Sequence, residues 1–436
     1  MDNKQYSKIA KIYGNDNKDK RQQIHDYFVS KSIKDNIKKY GEVLTMPCLV
    51  DNMLETIPFD FWFAPKHVLE PCCGKGNFLL AIFDKFFDNM YHLSVKERIY
   101  LIINECITFC DINANNVEIC NQLLELHIKN KCPEINMEKI HFRGFVCDGL
   151  KFYGRYDLVA TNPPYNSNGT LASGNSLYQK FIKKALNDNV VPSGYVLFVT
   201  PPSWRKPSTS KCKYHGIFDL MTKENQMLYV KMNNSKEGRK MFAGCDTKFD
   251  YYLIQNRVCD QDTLVIDYNN EEVMVDLRKH SFLPNFEINM IYSLLAGGNE
   301  AKLRIFKCVS KFDARNKNTS YVETDEFKHK LVHSTPLTGT RFIYCKEKDD
   351  TQFARKKVII GYSGIKHVVN DYDGLYGTTN NTFGIDIDSR EHGDLLDKAF
   401  LSVRFKKVLK AISFGNYNVD FIFLSSLKDV FYLDFI

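Results

Sequence analysis

The chain has 436 residues, of which 44% are hydrophobic and 25% are charged, and its formal net charge is +7. That length exceeds what one ordinary hydrophobic core organises, so at least two domains are expected. Because the sequence has no apolar run of about 18 residues and begins with polar residues, we expect neither a membrane span nor a signal peptide. The 13 cysteines lack the paired CxxC spacings of zinc sites, which favours reduced packing cysteines in a cytoplasmic protein without a bound metal.

The positive charge is concentrated in two parts of the chain. Residues 301–370 carry fifteen Lys and Arg against seven Asp and Glu, and the first forty residues carry ten against five. A basic excess interleaved with aromatic residues suits a polyanionic partner such as nucleic acid. On charge alone, a solvated protein surface is an equally good interpretation.

In chain order, residues 1–40 are typical of basic polar helices, and short β-like runs then alternate with amphipathic helical segments up to about residue 255. This alternation predicts an α/β domain with a doubly wound, mostly parallel, seven-stranded sheet of the Rossmann-like kind. The predicted strands are 66–71, 106–111, 144–148, 156–162, 195–201, 227–232 and 249–256, and the clearest helices are 77–87 and 115–128.

The alternation stops near residue 257. Beyond it, β-like segments at 341–345, 357–364 and 381–388 lie among polar loops, and helical segments follow at 394–412 and 426–432. We therefore predict an N-terminal basic helical extension at 1–40, an α/β domain at 41–257 and a mixed α+β domain at 258–436.

A first group of candidate ligand-binding residues follows the predicted strands. Glu70 ends the first strand and a glycine turn, 72-CCGKGN-77, leads into a helix; Gly74 and Gly76 would let the backbone approach a ligand closely. Asp111 ends the second strand and Asp148 the third, at the same edge of the sheet, and an acid at the end of the second strand can accept both hydroxyls of a ribose. The absence of GxGxxG disfavours a nicotinamide dinucleotide and favours an adenosine ligand without a pyrophosphate.

A second group is the sequence 162-NPPY-165, which ends the fourth predicted strand. The Asn162 side chain and the Pro163 backbone each offer a carbonyl oxygen, and Pro163 and Pro164 add rigidity without an N–H donor. Two such acceptors suit the exocyclic amino group of adenine, and Tyr165 offers a flat face for stacking, a contact of about 1–3 kcal/mol. The pattern indicates catalysis by positioning and preorganised dipoles.

These residues together resemble the γ-class S-adenosylmethionine-dependent DNA adenine-N6 methyltransferases, in particular those of large DNA viruses and type II restriction-modification systems. The resemblance extends from about residue 38 to 255 and is loose beyond. It rests on 68-VLEPCCGKGNF-78 as the first cofactor motif and on 162-NPPY-165 as the catalytic motif. The N-terminal motif of the family is usually Thr-Pro, whereas here Met46 separates Thr45 from Pro47.

The resemblance implies a role for each matching residue. In the cofactor site, Thr45 would contact the methionine carboxylate of S-adenosylmethionine, and Glu70, Cys72, Gly74 and Gly76 would surround its methionine portion. Asp111, with Ile112 beside it, would bind the ribose, and Asp148 would bind the adenine amino group. Asn162, Pro163, Pro164 and Tyr165 would be catalytic, with Asn162 also next to the cofactor. Phe242 would cover the second face of the extruded base, with a core position as its alternative. The chain departs from the family at Gly149, where a larger side chain often packs on the cofactor adenine.

The resemblance implies a sequence-specific enzyme that methylates N6 of an adenine flipped out of double-stranded DNA, in a restriction-modification-like system. A cognate restriction endonuclease would be a separate protein, and the enzyme would act as a monomer or homodimer in a bacterial or virus-infected cell. The alternatives are an NPPY-type methyltransferase of RNA or of a protein glutamine, an inactive nucleic-acid binder, and a cytosine-N4 enzyme, in which Ser more often replaces the Asn of NPPY.

Overall fold

The computed structural model describes residues 1–14, 19–31, 43–166, 176–208, 215–242, 246–414 and 419–436. The chain divides into two compact units. The first comprises Met1–Trp204 and Ser210–Ser281, and the second comprises Arg205–Thr209 and Phe282–Ile436. Within the described ranges, every helix is too short or too polar to cross a membrane.

The first unit is built on a nine-stranded mixed sheet with the order β3-β2-β1-β4-β5-β7-β6-β8-β9. Strands β1 to β5 pair in parallel, and β7 lies antiparallel between β5 and β6. The carboxyl ends of β1, β2, β3 and β4 therefore lie at one edge. The strands are β1 (Val68–Glu70), β2 (Ile107–Asp111), β3 (Arg143–Val146), β4 (Tyr156–Thr161), β5 (Val190–Thr200), β6 (Gln226–Asn233), β7 (Phe249–Gln255), β8 (Thr263–Ile266) and β9 (Glu272–Val275).

Two strands of this sheet, β8 and β9, were not predicted. The seven predicted strands are present, but β8 pairs in parallel with β6, and β9 pairs with β8, so the sheet is larger than the seven strands expected. Each added strand has four residues and is buried on one face at most, which gives a weak sequence signal. Because both strands belong to the sheet, the first unit extends to Ser281, and the predicted boundary at 257 falls inside it.

Helices cover the sheet of the first unit. They are α1 (Asn3–Tyr13), α2 (Lys20–Lys31), α3 (Pro47–Leu54), α4 (Asn77–Asn89), α5 (Val95–Leu101), α6 (Ala114–Lys131), α7 (Tyr178–Lys184), α8 (Ile217–Asp219) and α9 (Ser235–Met241). Single π-helical turns continue three of them, at Ile102–Cys106 after α5, Ala185–Asn189 after α7 and Leu220–Glu224 after α8. Short 3-10 turns lie at Phe59–Phe63, Met137–Lys139, Gly149–Lys151, Pro202–Arg205 and Leu277–Lys279.

The N-terminal helices α1 and α2 pack on this unit and share its hydrophobic core, so they are more than a basic extension. A largely buried polar network joins α1 to α4 and α6: the Tyr13 hydroxyl lies 3.1 Å from His127 Nδ1, and His127 Nε2 lies 2.9 Å from Asp84 Oδ1. Lys131 Nζ is 3.1 Å from the same oxygen. Burial raises the pKa of Asp84, but the hydrogen bonds and charges of His127 and Lys131 outweigh it and lower the pKa to about 2.

The second unit is a mixed α+β structure with two four-stranded sheets, β10-β17-β14-β15 and β11-β13-β12-β16, where β12 and β16 form the parallel pair. Its strands are β10 (Ile305–Lys307), β11 (Thr319–Ser320), β12 (His329–Ser334), β13 (Arg341–Cys345), β14 (Lys357–Gly361), β15 (Val369–Asp371), β16 (Gly377–Thr378) and β17 (Thr382–Asp386). Its helices are α10 (Ile288–Ser293), α11 (Arg390–Leu401), α12 (Val403–Ala411) and α13 (Phe421–Leu424), with 3-10 turns at Ser310–Phe312 and Phe431–Phe435. The helices pack with β14 and β17 around a separate hydrophobic core.

A buried ion pair fixes one loop of this second unit. Lys357 Nζ, on β14, lies 2.6 Å from Asp371 Oδ2, at the end of β15, and both side chains are buried. The two carboxylate oxygens of Asp371 also accept the backbone N–H groups of Leu375, at 2.7 Å, and Tyr376, at 3.0 Å. Lys357 therefore holds a loop and does not belong to the basic surface that the charge count suggested.

Candidate functional site

The glycine turn joins β1 to α4 at the carboxyl edge of the sheet. Gly74 has φ +49° and Gly76 has φ +79°, a left-handed backbone that L side chains rarely adopt. A Cβ on Gly74 would meet no atom within 4 Å, whereas a Cβ on Gly76 would lie 3.2 Å from Cys120 Sγ. Gly74 thus borders open space, and Gly76 permits close packing on α6. Both residues lie where the sequence predicted them.

Asp111 secures this turn from the end of β2. Its Oδ2 accepts the Gly74 N–H at 3.0 Å and the Asn116 amide at 3.2 Å, and its Oδ1 accepts the Asn113 N–H at 2.8 Å. A carboxylate has about four acceptor positions, so one remains for a ligand hydroxyl. The side chain of Ile112, beside it, is 64% exposed. The structure therefore brings Gly74 and Asp111 together, with an exposed apolar side chain next to them.

Asp148 lies beyond the end of β3 and begins a short 3-10 turn, where its Oδ1 accepts the Leu150 N–H at 3.0 Å. The neighbouring Gly149 is explained by packing. A Cβ at Gly149 would lie 2.3 Å from the backbone oxygen of Pro71, which is too close for any real contact. The segment after β1 therefore requires glycine at 149, a constraint between distant residues that sequence reasoning missed.

Glu70, the last residue of β1, is only 1% exposed. Its Oε1 accepts hydrogen bonds from the Thr161 hydroxyl and, at 3.3 Å, from the Cys72 N–H. Burial raises the pKa of this carboxyl well above its usual range, although both hydrogen bonds lower it. Its Oε2 is buried and makes no hydrogen bond within the described part of the chain, so it can bind a polar ligand atom or carry a proton.

A cleft that is partly open to solvent lies between the glycine turn and the NPPY segment. Its lining comprises Val43, Leu44, Thr45, Cys72, Cys73, Gly74, Lys75, Asn77, Phe78 and Asn162. The structure thus brings four predicted site residues, Thr45, Cys72, Gly74 and Asn162, into one concave surface.

The Asn162 amide has a partner at one end only. Its Nδ2 donates to Thr45 Oγ1 at 2.9 Å, whereas its Oδ1 is buried and makes no hydrogen bond among the described residues. A buried carbonyl without a partner is unfavourable by about 1–3 kcal/mol, and a ligand N–H that donates to it would recover this free energy. The next residues, Pro163 and Pro164, carry no N–H that could compete for it.

Tyr165 is half-buried and packs edge-on against Tyr178, with the ring centroids 6.5 Å apart and the planes at 73°. Tyr178, at the start of α7, is 2% exposed, and its hydroxyl lies 2.6 Å from Ser203 Oγ. The Leu177 N–H donates to the Tyr165 carbonyl at 2.9 Å, which fixes the backbone on both sides of the contact. Sequence reasoning did not identify Tyr178, because its apolar neighbours are typical of a core helix.

Phe242 is not brought to the cleft. Its side chain is 1% exposed and packs edge-on against Phe249 of β7, with centroids 4.8 Å apart, inside the main core. Phe242 therefore occupies a core position, which was the alternative to base stacking for this residue. The preceding residue is nevertheless near the cleft, since the Met241 carbonyl accepts the Met46 N–H at 3.2 Å.

Among the residues described, no group of three or more His, Cys, Asp or Glu side chains has the arrangement of a metal site. The cysteines around the glycine turn include Cys73, Cys110 and Cys120, which are buried and free. The polar side chains that line the cleft include the Thr45 hydroxyl, the Asn77 and Asn162 amides, the Lys75 ammonium group and the Cys72 and Cys73 thiols.

No protein-family model matches the chain, and no curated protein sequence matches it significantly. Among solved structures, the type IIL restriction-modification enzyme MmeI in complex with DNA aligns with a TM-score of 0.53 at 11% identity, over 95% of this chain and 70% of MmeI. This likeness shows a shared fold.

Two further structures align less closely. The DrdV–DNA complex has a TM-score of 0.47 at 11% identity, over 91% of this chain and 54% of DrdV. A modification subunit of a putative type I restriction enzyme from Vibrio vulnificus YJ016 has a TM-score of 0.44 at 14% identity, over 58% of this chain. The present chain spans 53% of the length of that subunit.

Proposed function

We propose that this chain is an S-adenosylmethionine-dependent DNA methyltransferase that modifies N6 of an adenine extruded from double-stranded DNA. The observation that carries the proposal is the buried Asn162 Oδ1, which lacks a partner in the described structure and lies beside a cleft bordered by a glycine turn. An amino group that donates to this oxygen would relieve the unpaired acceptor.

The residues of the NPPY segment would act by position. Asn162 Oδ1 and the Pro163 carbonyl would each accept one N–H of the adenine amino group, and this orients the nitrogen lone pair toward the glycine turn. Tyr165 would stack on the base for about 1–3 kcal/mol, which offsets part of the few kcal/mol that extrusion requires. Tyr178, packed against the Tyr165 ring, would hold that ring at its angle.

The cleft suits S-adenosylmethionine, which supplies an electrophilic methyl group when bound. Gly74 would lie against the methionine portion, because the space beyond its Cα is open. Asp111 would accept a ribose hydroxyl with its remaining lone pair, and Ile112 would cover part of the adenine. Asp148 would accept the adenine amino group, and Glu70 Oε2 is a further polar atom for the methionine portion.

The second unit would bind the DNA. Lys330, Arg341, Lys348 and Lys366 are exposed and supply part of the positive charge that a phosphate backbone needs. The overall likeness to MmeI, which was solved in complex with DNA, supports the same assignment. A restriction-modification-like role, with the nuclease on a separate chain, is part of this proposal.

The competing proposal is an NPPY-type enzyme that methylates RNA or a protein glutamine, since a planar amide would fit the same acceptors. The second unit, of about 160 residues, contains the basic stretch 301–370, which favours nucleic acid over a protein side chain. A duplex DNA substrate requires the target base to be extruded, whereas a single-stranded RNA substrate does not.

Long-read sequencing of DNA from an adenine-methylation-deficient bacterium that expresses the chain tests the proposal. We expect N6-methyladenine at one short recurring motif, and we expect Asn162→Ala to remove it. Unmodified DNA from cells with soluble protein that binds S-adenosylmethionine would contradict the proposal and favour an RNA or protein substrate.

A further inference from the structure

We propose that Thr45 is a positioning residue that sets the orientation of the catalytic Asn162 amide, in addition to contacting the cofactor. This inference rests on the proposed function, because it concerns how the acceptor for the adenine amino group is oriented. It gives a mechanistic role to a hydroxyl that the family resemblance placed only in the cofactor site.

The amide of an asparagine can face a site with either its oxygen or its NH₂ group. Here Nδ2 donates to Thr45 Oγ1 at 2.9 Å, so the oxygen is the end left for the substrate. The reversed amide would direct N–H bonds at an amino group that also donates, and the two donors would repel each other. While its own hydrogen is donated to another partner, the hydroxyl of the buried Thr45 can only accept, and it then selects the orientation in which Nδ2 faces it and Oδ1 faces the substrate.

Thr45 is itself fixed by groups from two helices. Its backbone oxygen accepts the Asn77 amide at 2.5 Å, and the same Asn77 nitrogen lies 3.0 Å from Nδ1 of His25, a residue of α2 that is 2% exposed. Pro47 begins α3 two residues after Thr45 and limits the backbone there. Burial lowers the pKa of His25, which keeps its ring neutral and able to accept a hydrogen bond.

The hydroxyl of Thr45 retains a proton for a second partner. A hydroxyl that accepts through one lone pair still donates its own hydrogen, and Thr45 lines the cleft beside Gly74 and Asn162. An anionic group in the cleft, such as the carboxylate of S-adenosylmethionine, would take this proton in a hydrogen bond. Thr45 would then connect cofactor binding to the orientation of Asn162 through two hydrogen bonds of one hydroxyl group.

The test compares Thr45→Val, which removes the hydroxyl at nearly constant volume, with Thr45→Ser, which keeps it. Thr56→Val is the matched control, because the Thr56 hydroxyl donates to the Met53 carbonyl at 2.7 Å and does not line the cleft. Three quantities are measured on the full chain with the motif found by sequencing. They are kcat at saturating S-adenosylmethionine, the Kd of this cofactor by calorimetry, and base extrusion by the fluorescence of 2-aminopurine at the target position.

For Thr45→Val we expect kcat at saturation to fall roughly 10- to 100-fold, because a misplaced reacting group loses about that much. The cofactor Kd should rise far less than kcat falls, and 2-aminopurine, which has no 6-amino group, should still be extruded. Thr45→Ser should recover kcat to within about threefold of wild type, and Thr56→Val should not change it. If the valine variant does not fold, Thr45→Ala is the second hydroxyl deletion, and the same split between kcat and Kd applies.

A Thr45→Val enzyme with a weaker Kd but an unchanged kcat at saturation would overturn the positioning role and leave a cofactor contact only. Equal losses in the serine and valine variants would also overturn it, since they would indicate a packing effect. A wild-type chain that methylates no DNA would instead overturn the proposed function, and the inference with it.

Discussion

Two glycines at the edge of the sheet should respond to the same substitution differently, one mainly in stability and the other mainly in cofactor binding. A Cβ at Gly149 would lie 2.3 Å from the Pro71 backbone oxygen, so Gly149→Ala must displace the main chain. We expect it to lower the free energy of unfolding by about 1–3 kcal/mol, the usual range for overpacking. At Gly74 a Cβ meets no atom, and only its φ of +49° opposes alanine, so Gly74→Ala should lower this free energy by about 1 kcal/mol.

Binding of S-adenosylmethionine should show the reverse order, with a larger effect of Gly74→Ala than of Gly149→Ala. The Gly74 Cβ would project into the cleft, and we expect the Kd of S-adenosylmethionine to rise at least about tenfold, which corresponds to about 1.4 kcal/mol. Urea unfolding and titration calorimetry on both variants measure the two effects. If Gly74→Ala bound the cofactor as tightly as wild type, the turn would not approach the ligand, and the assignment of the cleft would be wrong.

Two further predictions concern stability. Lys357→Met leaves the Asp371 carboxylate buried without its cation and should lower the free energy of unfolding by about 3–5 kcal/mol in urea; a loss under about 1 kcal/mol would contradict the importance of the pair. The pKa of Asp84 falls from 3.8 to about 2 on folding, so the ionised carboxylate stabilises the fold above about pH 4. This contribution, of about 2 kcal/mol, is lost as the pH falls to 2. Asp84→Asn should flatten the acid side of a stability–pH curve, and parallel curves for the two proteins would refute the assignment.

Much of the first unit could be predicted from the sequence, because its central strands are buried on both faces and read as continuous apolar runs. The glycine turn, Asp111 and the NPPY segment also lie at the expected strand ends. What could not be predicted depends on contacts between distant residues. The burial of Phe242 against Phe249, the approach of Pro71 to Gly149 and the pairing of β8 with β6 are all set by packing and leave no local pattern.

The same limit applies to the N-terminal helices. Their lysines suggested a basic helical extension, yet the opposite faces of α1 and α2 bury Ile9, Tyr13, Ile24 and Phe28. The polar link from His25 through Asn77 to Thr45 was invisible in the sequence for the same reason, since each residue alone is unremarkable.

The Asp371 carboxylate holds the loop from 371 to 376 through the backbone N–H groups of Leu375 and Tyr376 and through the Lys357 ammonium group. Gly374 is constrained as well, because its φ is +68° and a Cβ there would lie 2.6 Å from Ala354 Cα, so the freedom to vary is confined to the exposed positions of the loop. Leu375, at 54% exposure, and Asp373, also exposed, can vary while the main chain stays in place. A surface built in this way can acquire a different ligand preference by single substitutions, without first evolving a new scaffold.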